Sequence, residues 1–373
     1  GDHRDLHLSL RRQRQMCIRD RSHDPQLLVC AGDQIYEGNP TSEDDSDNLS
    51  LDYLYKWYLW AWAFRDLIRS TPTIVQTDDH DVYQGNLWGN GGRAAPTEII
   101  DVGGLAEEIR DQNRGGYVYG PEFINLVQRT QCGHNPDPYD ATPIEQGIGV
   151  NYGMFKFGGI SFAFLEDRKF KTAPIQGQDL DVHEAQLLGA RQEAFLEAWR
   201  RDEEEVDGRI CLTQSLFACL QTSPRGQPLL DWDANGQPKL HRDRAITLLR
   251  AAGALVLSGD QHLGSLIRHG IDSHTDGVVQ FTGPAGVSFW QRWFEPREVL
   301  ANGGGEPYTG DFTDAFGNKL HVHAIANPKI TFAYYREFKG GRSQALGDQR
   351  LKSEGYGVVR VRRTERQLSL IHI

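Results

Sequence analysis

Three short apolar runs each deliver an aspartate at their end: "LLVCA" before Gly32 and Asp33, "TPTIVQT" before Asp78, and "ALVLSG" before Asp260. Apolar runs of this length, bounded by turn residues, read as buried strands rather than helices. Between the first two lies "LYKWYLWAWAFRDLI", in which Leu54, Trp57, Ala61, Phe64 and Ile68 alternate steps of three and four. That spacing predicts a helix burying this stripe, with Ser50 as N-cap and Pro72 as stop. Lys56, Arg65 and Asp66 interrupt it well short of the roughly 20 apolar residues that a bilayer span needs. Strand, helix, strand at this separation predicts parallel pairing, with the helix packed outside the sheet.

Further along, a long Gly-rich and Pro-rich stretch runs from Gly85 to about Gly149 and reads as loop. "NYGMFKFGGISFAFLED" gives two strands with a hairpin turn at Gly158 and Gly159. "DVHEAQLLGARQEAFLEAWRRDEEE" reads as an amphipathic helix turning Leu187, Ala190, Ala194 and Ala198 to the core. "GRICLTQSLFACL" is a strand, "RDRAITLLRAAG" a helix and "YGVVRVRR" the last strand. The expected fold class is α/β with mixed sheets: two mixed sheets face to face, flanked by helices, in one domain over residues 23–367. The basic, aperiodic "LSLRRQRQMCIRDR" and the terminal "LSLIHI" resemble translated sequencing-adapter fragments, so residues 1–22 and 368–373 are set aside.

The formal net charge is -11, and no interior run of Lys and Arg offers a phosphate-binding surface, which argues against a nucleic-acid partner. An anionic substrate would need local positive charge, and bound metal ions supply it even in an acidic pocket. Cys17, Cys30, Cys132, Cys211 and Cys219 show neither paired metal-ligand spacing nor disulfide density, so cysteine usage leaves the compartment open. Oligomeric state is likewise open.

The polar clusters at the strand ends are Asp33 with Tyr36 and Glu37, the run Asp78, Asp79, His80, Asp81, and Asp260 with His262. Loops beyond the carboxyl ends of strands gather at one rim in α/β folds. Several carboxylates there repel one another at reduced dielectric unless cations sit among them. Asp, His and Tyr suit hard or borderline ions such as Fe, Mn, Mg, Ca or Zn. Other features weigh less. "SEDDSD", Ser42 to Asp47, lacks the EF-hand spacing and reads as a solvated acidic loop. His321 and His323 alternate on one strand face. Arg168 either clamps a phosphate or pairs with Glu166 or Asp167, and Arg93 could reach an anion. "WGNGGR" and "GPAGVSFWQRWFEP" are candidate pocket walls.

Taken together and in this order, "GDQIYE", "DDHD" and "GDQH" resemble the strand-end motifs of the calcineurin-like metallophosphoesterases, specifically the PhoD-like alkaline phosphatase branch. "FLEDRKFK" and "LLGARQEAFLEAW" resemble that branch's Leu-Asp-x-Arg strand and Leu-Gly-x-x-Gln helix. The resemblance implies a four-layer sandwich of two mixed sheets and a two-metal phosphoric ester hydrolase, monoesterase or diesterase. It further implies Fe(III) plus Ca, with Mn, Zn or Mg as alternatives, and a periplasmic or extracellular setting. Metal ligands would be Asp33, Tyr36, Asp79, Asn86, Asp260 and His262. His80 would protonate the leaving group with Asp81 orienting it, and Arg168 and Arg93 would contact substrate. The family's first ligand-bearing strand should precede "LLVCAGD", where Cys17 in "QMCIRD" is no substitute, so a truncated site is expected. Two rivals are a hydrolase of another ester, such as a sulfate, and a non-catalytic Ca-dependent glycan-binding protein.

Overall fold

The computed structural model describes residues 23–37, 48–102, 105–174, 184–202, 204–286, 290–337, 351–362 and 367–372. Residues 1–22 and Ser42–Asp47 lie outside the described residues, and with them Cys17 and the acidic loop. The chain divides into two compact units, one of residues 1–153 and 165–189 and the other of residues 154–164 and 190–373.

In the first unit, strand β1 (Leu28–Ala31) pairs in parallel with β2 (Thr73–Gln76), Leu28 opposite Thr73 and Ala31 opposite Gln76. Helix α1 (Leu49–Ile68) connects them, as the strand-helix-strand pattern requires. Its start is capped by Asn48, whose side chain accepts from the Leu51 amide at 3.2 Å, rather than by Ser50, which lies inside the helix. Its buried face is Asp52, Tyr53, Trp60, Ala63 and Leu67, with Trp57, Ala61 and Phe64 beside it and Leu54 exposed. The expected stripe is therefore rotated by about one position. The helix carries aromatic residues all around, so apolar spacing alone does not set its phase. A buried polar anchor does: Asp52 pairs with Lys56 at 2.8 Å and accepts from the Tyr83 hydroxyl at 2.9 Å.

The stretch from Gly85 to Gly149, expected as loop, contains a hairpin of β3 (Thr97–Val102) and β4 (Leu105–Arg110) and helix α2 (Pro121–Cys132). Proline at the first helical position presets φ where no N–H is needed. Phe123, Ile124 and Val127 of α2 pack in one core with Tyr53 and Trp60 of α1. A single turn, α3 (Asp167–Phe170), completes this unit.

Gly32, between β1 and Asp33, holds φ at +106°, and a Cβ placed there would lie 2.5 Å from the Asp78 Cβ. The strand ends approach too closely for any side chain. Gly32→Ala is expected to cost more than about 2 kcal/mol through strain and overlap; urea unfolding measures it, and a loss below about 0.5 kcal/mol would contradict this close approach.

The second unit is built on an eight-stranded mixed sheet ordered β11-β12-β9-β10-β8-β7-β6-β5. The strands are β5 (Gly153–Phe157), β6 (Ile160–Phe164), β7 (Gly208–Leu212), β8 (Ala254–Ser258), β9 (Gly264–His269), β10 (Val279–Thr282), β11 (Gly310–Thr313) and β12 (Lys319–Ala326). β6 through β8 and β10 run parallel, while β9, β11 and β12 pair antiparallel. The β5–β6 hairpin turns at Gly158 (φ +58°) and Gly159 (φ +82°), two positive values that match the right-handed strand twist. The mixed α/β class is thus the one expected, with the sheet of the first strand pair limited to two strands among the described residues.

Helix α4 (Gly189–Arg200) buries Gln192, Phe195, Leu196 and Trp199, while Ala190, Ala194 and Ala198 are exposed. The alanine stripe expected to face the core faces solvent, because large apolar side chains gain more from burial than alanines at the same spacing. Helix α5 (Lys239–Ala251) precedes β8, and α6 (Phe332–Glu337) follows β12. β13 (Gly357–Arg362), expected to be the last strand, is followed by β14 (Gln367–His372), with which it pairs and which takes in most of the tail set aside above.

Candidate metal centre

In the first unit the chain leaves β1 through two successive left-handed positions, Gly32 and Asp33 (φ +57°). Aspartate tolerates that region better than most residues. β2 ends at Gln76, and the chain turns through Asp78 and Asp79 into a single 3-10 turn, His80–Val82. Asp78 Oδ1 accepts from the Asp79 amide at 3.0 Å and Asp79 Oδ1 accepts from the His80 amide at 2.9 Å. These caps fix the order in which the side chains emerge. Asp33, Asp79 and His80 each present one potential ligand atom, all within 4.8 Å of one another. Bonds of about 2.4 Å to a calcium-sized ion span up to about 4.8 Å, and bonds of about 2.1 Å to iron or zinc about 4.2 Å. The donor set therefore fits one cation, directly or after a small contraction, and two carboxylates with an imidazole are hard-to-borderline donors.

Tyr36 stands over this cluster. Its hydroxyl donates to Asp33 Oδ2 at 3.0 Å and its ring stacks on that of His80, with centroids 4.3 Å apart. Burial, then the charge of Asp33, push the phenol well above its ordinary value. A cation held by Asp33 would act in the opposite sense and favour phenolate.

Asp81 was expected to orient His80, and the structure gives it another task. Its Oδ2 accepts from the amides of Asp33 and Asp78, both at 2.8 Å; its Oδ1 accepts from the Ile35 amide at 3.0 Å and from Gln131 Nε2 at 2.7 Å. A carboxylate has about four lone-pair sites, and these four donors fill them. Asp81 is fully buried, and burial pushes its carboxyl up to about 6 although the four hydrogen bonds pull it down. It ties the loop after β1 to the loop after β2. The imidazole of His80 is held instead by Glu37, with Nδ1 at 2.6 Å from Oε2. Burial, the largest single influence, would raise the Glu37 carboxyl; the bond to His80, the charges of His80 and Lys56 and a backbone bond together outweigh it and hold it below its ordinary value.

Arg168, expected on a phosphate or paired with its neighbours Glu166 and Asp167, is wholly buried on α3 and donates through Nε to Asp78 Oδ1. That guanidinium braces the loop carrying Asp79 from behind, because neither member of the pair reaches solvent. Glu166 pairs with Lys169 at 2.7 Å. Arg93 is exposed and lies 3.3 Å from Glu145. Asn86 is half-buried on the bend after the 3-10 turn.

In the second unit, Asp260 (φ +65°) and His262 (φ +53°) follow β8 in the same left-handed manner as Asp33 follows β1. Asp260 Oδ2 accepts from Gln261 Nε2 at 2.7 Å and from the Ser215 hydroxyl. His262 Nδ1 lies 2.9 Å from the Trp290 carbonyl. A carbonyl only accepts, so Nδ1 carries the proton and Nε2 the lone pair, the tautomer that a metal-ligating histidine uses. Arg292 donates to the Asp260 carbonyl at 3.3 Å and pairs with Asp231 at 2.9 Å. Trp290 and Arg292 lie in the "GPAGVSFWQRWFEP" segment expected to wall a pocket, whereas Ser215 had no motif to mark it, although it follows β7 as Asp260 follows β8. His321 Nδ1 binds Asp311 at 2.7 Å, with the His323 ring 4.7 Å from its own.

The sequence matches the family described as PhoD-like phosphatase over residues 14–292, and the chain belongs to that family. Among solved structures it is similar to one described as "Structure of PhoD", at 18% identity and a TM-score of 0.48, covering 69% of this chain and 51% of that one. It is also similar to purple acid phosphatase PPD1 from yellow lupin (Lupinus luteus) seeds, at 12% identity and a TM-score of 0.39, covering 73% of this chain and 38% of that one. The chain thus spans about half the length of the former and less of the latter, and the family assignment rests on the sequence match. No curated protein sequence matches the chain significantly.

Proposed function

We propose that the chain is a metal-dependent phosphoric ester hydrolase, a reading carried by the Asp33, Asp79 and His80 donor cluster at the ends of β1 and β2. A cation held there would supply Lewis acidity toward the phosphoryl group and its nucleophile. Asp33 and Asp79 hold that cation, and Tyr36, bonded to Asp33 and stacked on His80, is placed to join the ligand set once its proton leaves. In this reading Asp33 and Asp79 are the ligands from this cluster, and His80 turns its Nε2 to the leaving-group oxygen as proton donor rather than to the cation. Asp260 and His262 of the second unit are proposed as metal ligands by the same resemblance, and the tautomer at His262 and the carboxylate turned off β8 are in keeping with that role. Iron and calcium, suggested by resemblance, are the pair to try first, in the periplasmic or extracellular setting the same resemblance suggests.

The test is turnover of p-nitrophenyl phosphate, bis-p-nitrophenyl phosphate and p-nitrophenyl sulfate by chain reconstituted with Fe and Ca, or with Mn, with bound metal counted by elemental analysis. Asp33→Asn is expected to lower kcat/KM on the phosphate ester at least about 100-fold and to reduce metal content, since several kcal/mol of charge stabilisation depend on a bound ion. Unchanged metal and turnover in that variant would sink the reading. Calcium uptake without turnover of any ester would identify a binding protein instead, and preference for the sulfate would move the activity to another ester class.

A further inference from the structure

Resting on that reading, we propose that Glu37 is the positioning residue for His80 and that Asp81 does not act on the imidazole at all. The two carboxylates are separated by what they touch. Asp81 is adjacent to His80 in sequence, but its four acceptor sites are taken by Asp33, Ile35, Asp78 and Gln131. Glu37 is one residue past Tyr36, and its Oε2 lies 2.6 Å from His80 Nδ1. The imidazole is thereby clamped on two sides, at its edge by Glu37 and on its face by the Tyr36 ring at 4.3 Å. A carboxylate accepts only, so Nδ1 carries a hydrogen toward Glu37, and Nε2 is the nitrogen turned to chemistry.

In the step itself, the oxygen of a water forms the new bond to phosphorus and gives up a proton to solvent, while the bond between phosphorus and the leaving oxygen breaks with its electron pair going to that oxygen. The proton on His80 Nε2 transfers to the same oxygen, and the imidazole is left neutral with its hydrogen still on Nδ1, donated to Glu37. The Gly-Asp-Gln-x-Tyr-Glu stretch thus delivers a metal-ligand candidate, an aromatic platform and the partner of the acid from one loop, and the acid itself comes from the other.

The experiment uses the full chain reconstituted with Mn and Ca. Glu37→Ala is expected to lower kcat about 10-fold on glycerol phosphate, whose alkoxide must be protonated, and less than about 2-fold on p-nitrophenyl phosphate, whose leaving group departs unaided. KM and metal content should stay at wild-type values. His80→Ala should show the same split, larger. An equal loss on both substrates, or loss of metal in Glu37→Ala, would overturn the proposal by placing Glu37 behind the metal site or the fold instead. Nitrogen-15 spectra of histidine-labelled chain give an answer that does not need turnover: His80 should carry its hydrogen on Nδ1, and Glu37→Ala should move the tautomer toward Nε2. A chain with no turnover but this spectral change fails as a hydrolase while the Glu37 contact stands; an unchanged tautomer removes Glu37 whatever the activity.

Discussion

Asp81→Ala is expected to destabilise the first unit by about 4 kcal/mol, lowering its Tm by about 10 °C, and to abolish metal binding at physiological pH. The size follows from what the carboxylate holds. Three backbone amides, those of Asp33, Ile35 and Asp78, and the Gln131 side chain all donate to it. Each buried donor left without an acceptor costs about 1–3 kcal/mol, partly recovered if water enters the space. Ionised Asp81 is itself under a burial penalty, shown by a carboxyl pushed up to about 6, so the measured loss is a net figure. Asp81→Asn keeps the shape but replaces one acceptor oxygen with an NH2 that faces N–H donors, and is expected to recover less than half of the loss. Because one of the amides is that of Asp33 itself, another lies two residues on at Ile35 and the third immediately precedes Asp79, the candidate ligands should lose their mutual spacing with the fold. Denaturant unfolding and metal titration measure both effects. A loss under about 1 kcal/mol with metal binding retained would show that other contacts hold the two loops together.

Much of this was legible from residue order alone. Short apolar runs announced β1, β2, β7 and β8, because a buried strand needs little beyond apolar side chains and a turn at its end. The Gly-Asp steps marked Asp33 and Asp260, and the left-handed φ at both residues shows the same device used twice. What stayed hidden depends on which of several suitable partners a side chain meets. Nothing in "DDHD" says that Asp81 faces inward to amides, since that is decided by α2 bringing Gln131 to 2.7 Å. The helix itself was signalled by Gly120, Pro121 and the apolar triplet at Phe123, Ile124 and Val127, and was lost in a stretch judged by its glycines and prolines. Arg168 shows the same limit. A buried arginine and an arginine aimed at phosphate look alike in sequence, and only Asp78 beside its Nε separates them. Helix phase failed twice for a related reason. In α1 a buried ion pair outvoted apolar spacing, and in α4 the large side chains outvoted the regular alanines.

Acid is expected to unfold the second unit through His269. This residue on β9 is fully buried; its Nδ1 accepts from Arg242 Nη2 at 3.1 Å and its Nε2 donates to Gln280 Oε1 at 2.7 Å. The bond from Arg242 requires neutral imidazole, since a hydrogen on Nδ1 would point at a guanidinium. Burial first, and then the Arg242 charge, push the group from 6.5 down to about 3. Above pH 6.5 the ring is neutral whether folded or unfolded and the shift has no effect. As pH falls from 6.5 toward 3 the unfolded chain takes up a proton that the folded chain refuses, so stability is lost, in total about 5 kcal/mol and about 3 kcal/mol by pH 4. Asp314, nearby and pushed up by burial, works the other way, so the His269 contribution must be taken as a difference. His269→Gln, which cannot ionise, should cost stability at pH 7 and give back most of the difference by pH 4 in denaturant unfolding at matched salt. Parallel pH profiles for the two proteins would contradict the assignment. The consequence reaches the candidate ligand, because Gln280 also donates to the Ser215 carbonyl at 3.2 Å and the Ser215 hydroxyl donates to Asp260. Opening of the second unit in acid would therefore take apart the network behind Asp260, and it should do so at a higher pH in wild-type chain than in His269→Gln.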